Sequence, residues 1–171
     1  MTNGKQPIVK CAHTKIIDLD ELVPNPKNPN QHPPEQIRLL SRIIKHQGQR
    51  APIVVSKRSG FITKGHARLL AIQALGWDRA AIDEQEYANE ADEYADMVAD
   101  NKIAELAETN LSMVLDDVME FGEEFDFDLL GIPDFKLPED FEPGSIDDQG
   151  KLDEKKPVQC PNCGEMFEPK S

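Results

Sequence analysis

No stretch of this chain approaches the roughly 18 consecutive apolar residues that a membrane-crossing helix requires. The first ten residues, Met1 to Lys10, also lack an apolar signal core, which predicts a protein that stays in the cytoplasm. Cysteine is scarce. Three cysteines in 171 residues, two of them in one Cys-x-x-Cys, do not make the dense framework of an extracellular disulfide scaffold. Internal repeats are missing too. At 39% hydrophobic and 30% charged residues the composition is polar but globular, and the length suits one ordinary domain with a tail.

The net charge of −13 conceals two halves of opposite sign. Residues 1–79 carry 13 Lys and Arg against 5 acids, about +8, whereas residues 80–171 carry 6 bases and 27 acids, about −21. A basic front half suits a phosphate-bearing partner, since each Lys or Arg that neutralises a phosphate releases counterions. An acidic rear half repels a duplex, or simply keeps a tail solvated.

Local patterns predict an α/β (α+β) fold, a small mixed sheet with packed helices, followed by a helical extension and a disordered acidic tail. Lys15–Leu19 reads as a strand and is closed by Val23-Pro24-Asn25-Pro26-Lys27-Asn28-Pro29-Asn30, where the prolines forbid regular structure. Pro33-Pro34-Glu35 opens a helix with Ile37, Leu40 and Ile44 on one face and Gly48 as its stop. The β-branched run Pro52–Ser56 is a buried strand, Lys57–Gly60 a hairpin turn and Phe61–Thr63 the returning strand. Gly65-His66-Ala67-Arg68 leads into a second helix ending at Gly76, and Ala80–Asp83 is another strand. A third helix is expected from Glu90 to Glu108, its apolar stripe being Ala91, Tyr94, Ala95, Val98, Ile103 and Leu106, with a fourth over Ser112–Phe121 and a fifth near Leu129. The expected divisions are a domain over 15–110, a helical extension over 111–132, an acidic linker over 133–157 and a Cys-x-x-Cys knuckle over 158–171.

The strongest chemical signal is the strand–Thr63-Lys64-Gly65-His66-Ala67-Arg68–helix corner. Glycine permits the sharp turn, the helix start offers unpaired N–H groups, and Lys64 and Arg68 add positive charge on either side. That combination suits a phosphate chain, although many such corners bind nothing. His66 is either a general base or phosphate ligand, or a residue that shapes the turn. Asp83, Glu84 and Glu86 form a carboxylate cluster that either gathers divalent metal or lies in a solvated loop.

The blocks Leu22-Val23-Pro24-Asn25-Pro26, Ala51-Pro52-Ile53-Val54-Val55, Gly65-His66-Ala67-Arg68 and Ala74-Leu75-Gly76 resemble, in order, the ParB N-terminal (ParB/sulfiredoxin-like) domain over roughly 95 residues. The family includes partition proteins that bind and hydrolyse CTP, relatives that bind ATP or cleave DNA, and sulfiredoxin. The resemblance implies that Pro52, Val54, Lys64, Gly65, His66, Ala67 and Arg68 hold CTP or ATP. It further implies that Asp100-Asn101, similar to a Glu-Asn pair of the family, faces Mg²⁺ and the phosphates; Asp100 is otherwise an acid on a solvated helix face. The partition proteins carry Gly-Glu-Arg-Arg at the turn, so one arginine is absent here. Sulfiredoxin has a cysteine directly after the glycine; His66 takes that position, which argues against sulfinic-acid repair.

Residues 111–171 are too few and too acidic for a recognition-helix region with a dimerisation domain. DNA, a partner by resemblance, would be met through phosphates by Arg38, Arg42, Lys45, Arg50, Lys57 and Arg58, unless that stripe is only a wet helix face. Cys160-Pro161-Asn162-Cys163 looks like one knuckle of a zinc ribbon, which supplies two of the four thiolates that a structural Zn²⁺ takes. Two chains can pair their knuckles as a homodimer, Cys11 and His13 can complete the site, or no metal binds. Domains resembling this one occur in phage and mobile-element proteins, some beside DNA methyltransferases. The readings are thus a nucleotide-binding switch or adaptor with slow NTPase turnover, a metal-dependent nuclease, or a scaffold with a vestigial pocket.

Overall fold

A computed structural model describes residues 6–121, 125–133 and 135, together with the backbone of 158–159 and 166–167. The chain divides into two units, Met1–Phe135 and Lys136–Ser171. In the first unit, four strands form one sheet: β1 Lys15–Asp18, β2 Ile53–Ser56, β3 Ile62–Lys64 and β4 Arg79–Gln85. Their order is β1-β4-β2-β3. β4 runs antiparallel to β1 and parallel to β2, while β2 and β3 form an antiparallel hairpin. Lys64 therefore belongs to the strand, opposite Val54, rather than to the turn that follows it.

The helices are α1 Pro34–Gln47, α2 His66–Ala74, α3 Glu90–Ala104 and α4 Leu111–Glu120, with a 3-10 turn at Phe127–Leu130. Pro33 and Pro34 start α1, where the missing proline N–H groups have no intrahelical partner to lose. Gly48 ends it at φ +81°, and a Cβ there would stand 2.6 Å from the Ile8 carbonyl oxygen. The core gathers Leu19 and Leu22, Ile44 of α1, Ile53, Ile62, Ala80 and Ile82 of the sheet, Leu69 and Ile72 of α2, and Trp77. Gln49 is 0% exposed and acts as a missing ladder rung. Its Nε2 donates to the Ala81 carbonyl at 2.8 Å and its Oε1 accepts from the Ala81 N–H at 2.9 Å.

One helix differs from the sequence expectation. α3 ends at Ala104 rather than Glu108, and its buried residues are Glu93 and Met97, not the Ala91–Tyr94–Ala95 stripe. Ile103 and Leu106 are 67% and 77% exposed. A carboxylate on the buried face is tolerated because the β2–β3 turn supplies its partners, and periodicity alone cannot reveal that.

In the second unit, β5 Val158–Gln159 pairs antiparallel with β6 Met166–Phe167. Cys160 and Cys163 fall between these strands and outside the described residues, as does most of the acidic linker. No helix of the described residues is long and apolar enough to cross a membrane.

Candidate functional site

The site is built where β3 turns into α2. Gly65 caps α2 in the left-handed region at φ +94°, and no side chain caps the helix. The left-handed conformation at Gly65 favours glycine, and a Cβ there would lie 2.8 Å from Arg68 Nη1, so any larger residue would push the end of that side chain aside. The first turn of α2 contains no acid. Since the Leu69 N–H already bonds the Gly65 carbonyl at 2.9 Å, the preceding N–H groups of His66, Ala67 and Arg68 are the orphan donors of the helix start.

Arg68 lies along this turn, its Nη1 donating to the Pro52 carbonyl at 2.8 Å. Burial pulls its pKa down, while Cys11 and Asp100 nearby favour the charge. It remains protonated at neutral pH because guanidinium starts so high. His66 accepts at Nε2 from the Asn25 backbone N–H at 3.2 Å, which leaves the ring proton on Nδ1. Burial, and then the neighbouring His32, lower the His66 pKa.

A cavity of about 170 Å³ opens on these groups and is lined by Gly65, His66, Ala67, Arg68, Asp100 and Asn101 among the residues expected from sequence. Pro52 reaches the site only through the carbonyl that holds Arg68. Val54 is buried in the sheet between Lys64 and Asp83. Lys64 turns toward α3, where Asp96 and Asp100 take its ammonium at 3.0 and 3.4 Å. Burial alone would lower the Lys64 pKa, but those two carboxylates outweigh it and raise it. The cavity also includes Asn28, Asn30 and His32 of the proline-rich segment, Gln36 and Leu40 of α1, and Thr63. The prolines predict only a turn for that segment. Its clustered Asn and His side chains were the available signal.

α3 is set against this pocket by two polar anchors. Glu93, 3% exposed, accepts from Ser56 Oγ at 2.6 Å, Ser59 Oγ at 2.7 Å and Arg58 Nε at 3.0 Å. Burial would raise its pKa, but these three donors outweigh that and hold it below the usual carboxylate value. One turn on, Asp96 accepts from Tyr87 Oη at 2.7 Å, and the same hydroxyl lies 3.2 Å from Thr63 Oγ1. Asp100 and Asn101 follow on the next turn of α3 and reach the cavity.

A family model for the ParB N-terminal domain matches residues 5–100. The chain belongs to the ParB N-terminal domain family. The C-terminally truncated chromosome-partitioning protein ParB from Caulobacter crescentus, solved in complex with CTP-γ-S, has the same fold with a TM-score of 0.51 and 23% identity. That match covers 63% of this chain and 59% of the other, so the ParB domain described here spans about three fifths of that relative. A Pnob8-like ParB-N domain aligns with a TM-score of 0.45 and 12% identity, over 56% of this chain and 39% of that one. No curated protein matches the chain.

The ParB domain's basic residues on α1 stand apart from the pocket turn. Arg38 is paired with Glu35 at 2.7 Å and with Asp128 at 3.0 Å. Arg42 is paired with Asp126 at 2.9 Å and also with Asp128. The acids after α4 thus occupy two of the arginines expected to meet DNA phosphates, while Lys45 and Arg50 are exposed. Lys57 pairs with Glu86 at 3.0 Å, and Arg58 holds Glu93. Asp83 accepts from Thr14 Oγ1 at 2.7 Å, and Glu84 pairs with Lys15 at 2.9 Å. These three acids, Asp83 and Glu84 within β4 and Glu86 just after it, are therefore engaged with neighbours rather than turned toward one centre. Among the described residues no three His, Cys, Asp or Glu side chains are grouped to hold a metal ion.

Proposed function

We propose that this ParB domain binds a nucleoside triphosphate, CTP or ATP with Mg²⁺, and acts as a nucleotide-dependent switch or adaptor in DNA transactions, with slow NTPase turnover where it hydrolyses at all. The observation that carries this reading is the acid-free start of α2, whose residues His66, Ala67 and Arg68, the bearers of the orphan N–H groups and of a guanidinium, line one cavity. An anionic chain entering there meets backbone donors, a half-buried cation and the positive end of a helix dipole. In this reading His66, Ala67 and Arg68 offer their N–H groups, Gly65 permits the turn, the Arg68 guanidinium grips a phosphate, and Asp100 with Asn101 faces the Mg²⁺. Pro52 acts indirectly by holding Arg68, and Lys64 acts by fixing Asp96 and Asp100. The relative from Caulobacter crescentus was solved with a CTP analogue, which favours CTP as the first ligand to test.

The remaining parts complete the same proposal. The protein works in the cytoplasm. Lys45 and Arg50 are the readier phosphate contacts for DNA, because a duplex would have to displace Asp126 and Asp128 to reach Arg38 and Arg42. Cys160 and Cys163 supply half of a Zn²⁺ site that a second chain would complete, giving a homodimer of phage or mobile-element type whose partners include DNA methyltransferases. The experiment that tests the central claim is calorimetric titration of CTP, ATP and GTP with Mg²⁺ against wild type and Arg68→Ala. Binding of one nucleotide that is lost in Arg68→Ala is the expected result. A folded wild type that binds none of the three overturns the reading.

A further inference from the structure

Residues 116–128 carry seven acids and no base. Two of them, Asp126 and Asp128, return to the exposed face of α1 and seat on particular guanidinium atoms. Glu35 orients Arg38 by accepting from Nε at 2.9 Å and Nη2 at 2.7 Å, so that Nη1 is left to donate to Asp128 Oδ2 at 3.0 Å. Arg42 donates from Nε to Asp126 Oδ2 at 2.9 Å and from Nη1 to the same Asp128 Oδ2. One carboxylate oxygen thus lies between two guanidinium groups four residues apart, a place that suits a phosphate oxygen equally well. Lys45, exposed one turn further along, continues the same face. Arg38 to Lys45 spans about 10 Å of helix, or about three of the ~3.4 Å steps between phosphates along one strand of a duplex.

The seat of these acids is shallow. The 3-10 turn at Phe127–Leu130 has no buried residue, and beside it lies a cavity of about 480 Å³ lined by Leu39, Leu40 and Ile43 of α1 and by Gly131 and Pro133. The Arg38 and Arg42 side chains keep 50% and 49% of their exposure, so the ion pairs are individually weak and screened by salt. Belonging to the same chain, the two carboxylates compete at high effective concentration even so. Weak contacts that are always present set a threshold for another anion and do not block it. A single phosphate merely replaces one carboxylate, whereas a duplex that also reaches Lys45 gains more contacts than it displaces.

We propose that Asp126 and Asp128 form a built-in phosphate mimic, an autoinhibitory strap that occupies the nucleic-acid face of α1 and leaves it when Arg38 and Arg42 bind a phosphodiester backbone. The proposal rests on the DNA part of the reading above and deepens it, because it assigns the surface and its regulation.

The test is fluorescence anisotropy of a labelled short duplex of arbitrary sequence, titrated with the full chain between about 50 and 200 mM salt. Asp126→Asn/Asp128→Asn keeps the size of both side chains and the carbonyl oxygen with which Asp126 caps the Asp128 N–H, but removes the charges that hold the arginines. It is expected to bind more tightly than wild type, with a salt slope steeper by about 1.8, the value for two added phosphate contacts. Over that range of salt its advantage shrinks about twelvefold. The charge control is Asp116→Asn/Asp117→Asn, which removes two charges from exposed positions of α4 and is expected to leave the slope as in wild type. Adding Arg38→Gln/Arg42→Gln to the first variant restores the wild-type net charge and is expected to abolish the gain. A first variant that binds no more tightly than the charge control, or a gain that survives the arginine substitutions, overturns the proposal. A gain for poly-glutamate but none for the duplex also overturns it, since the face then belongs to an acidic protein. Duplex binding by wild type with no gain in the first variant sinks only the strap. Absence of duplex binding by every one of these proteins removes the DNA reading and the strap with it.

Discussion

The anchor at Glu93 allows a quantitative test of how α3 is held at the pocket. The perturbation is Glu93→Ala. It removes a 3%-exposed carboxylate and the acceptor for Ser56 Oγ, Ser59 Oγ and Arg58 Nε. Ser56 is itself buried and would lose the partner of its hydroxyl, a cost of about 1–3 kcal/mol. Ser59 and Arg58 are nearer to solvent and recover part of their bonding from water, so each adds about 0.5–1 kcal/mol. The total is about 3 kcal/mol. With a urea slope of about 2 kcal/mol per molar for a unit of this size, the unfolding midpoint should fall by about 1.5 M. Equilibrium urea unfolding followed by circular dichroism measures this directly. Glu93→Gln keeps a carbonyl acceptor and should lose less than half as much. The sign of the pH effect follows from the depressed pKa of Glu93: its contribution is fully present above the unfolded carboxylate value near ~4.5 and is lost as pH falls through the lower folded value. The acid limb of stability below about pH 4.5 should therefore be flatter in Glu93→Gln than in wild type. A Glu93→Ala midpoint within 0.3 M of wild type, roughly the scatter of the method, would refute the reasoning.

Two further substitutions probe the corner and the sheet. Gly65→Ala places a side chain at φ +94° and a Cβ 2.8 Å from Arg68 Nη1. It should cost about 1–2 kcal/mol in backbone strain, measured by thermal unfolding, and should weaken nucleotide binding because the Arg68 guanidinium is displaced. Gln49→Ala removes both bonds to Ala81 and leaves a cavity in a fully buried position. A loss of about 3 kcal/mol in urea unfolding is expected, and a loss under 1 kcal/mol would show that the β1-β4-β2 sheet does not depend on it.

Element order was legible in the sequence because its signals are local. Pro33-Pro34 and Gly48 bracket α1, the β-branched run at Ile53–Val55 marks β2, and Gly65 separates β3 from α2. Each of these rests on the φ preference of one residue or the branching of a few, which needs no knowledge of distant neighbours. The Gly65–Arg68 corner was legible for the same reason. Pairings made across long stretches of chain were not. Glu93 lies on the buried face of α3 only because Ser56, Ser59 and Arg58 come to it from a hairpin more than thirty residues earlier. Arg38 and Arg42 looked like a free basic stripe until Asp126 and Asp128 returned to cover them. Asn28, Asn30 and His32 read as turn residues, and only long-range contacts, among them the Asn25 N–H bond to His66, bring that segment to the cavity beside Arg68. The sequence by itself determined which segments are strands and helices and where the strand-to-helix turn at Gly65 lies, since steric and hydrogen-bonding preferences act within a few residues. The tertiary structure alone decided which charges are neutralised, which face of α3 is buried and which side chains share the pocket, because those depend on desolvation and on partners brought together by folding.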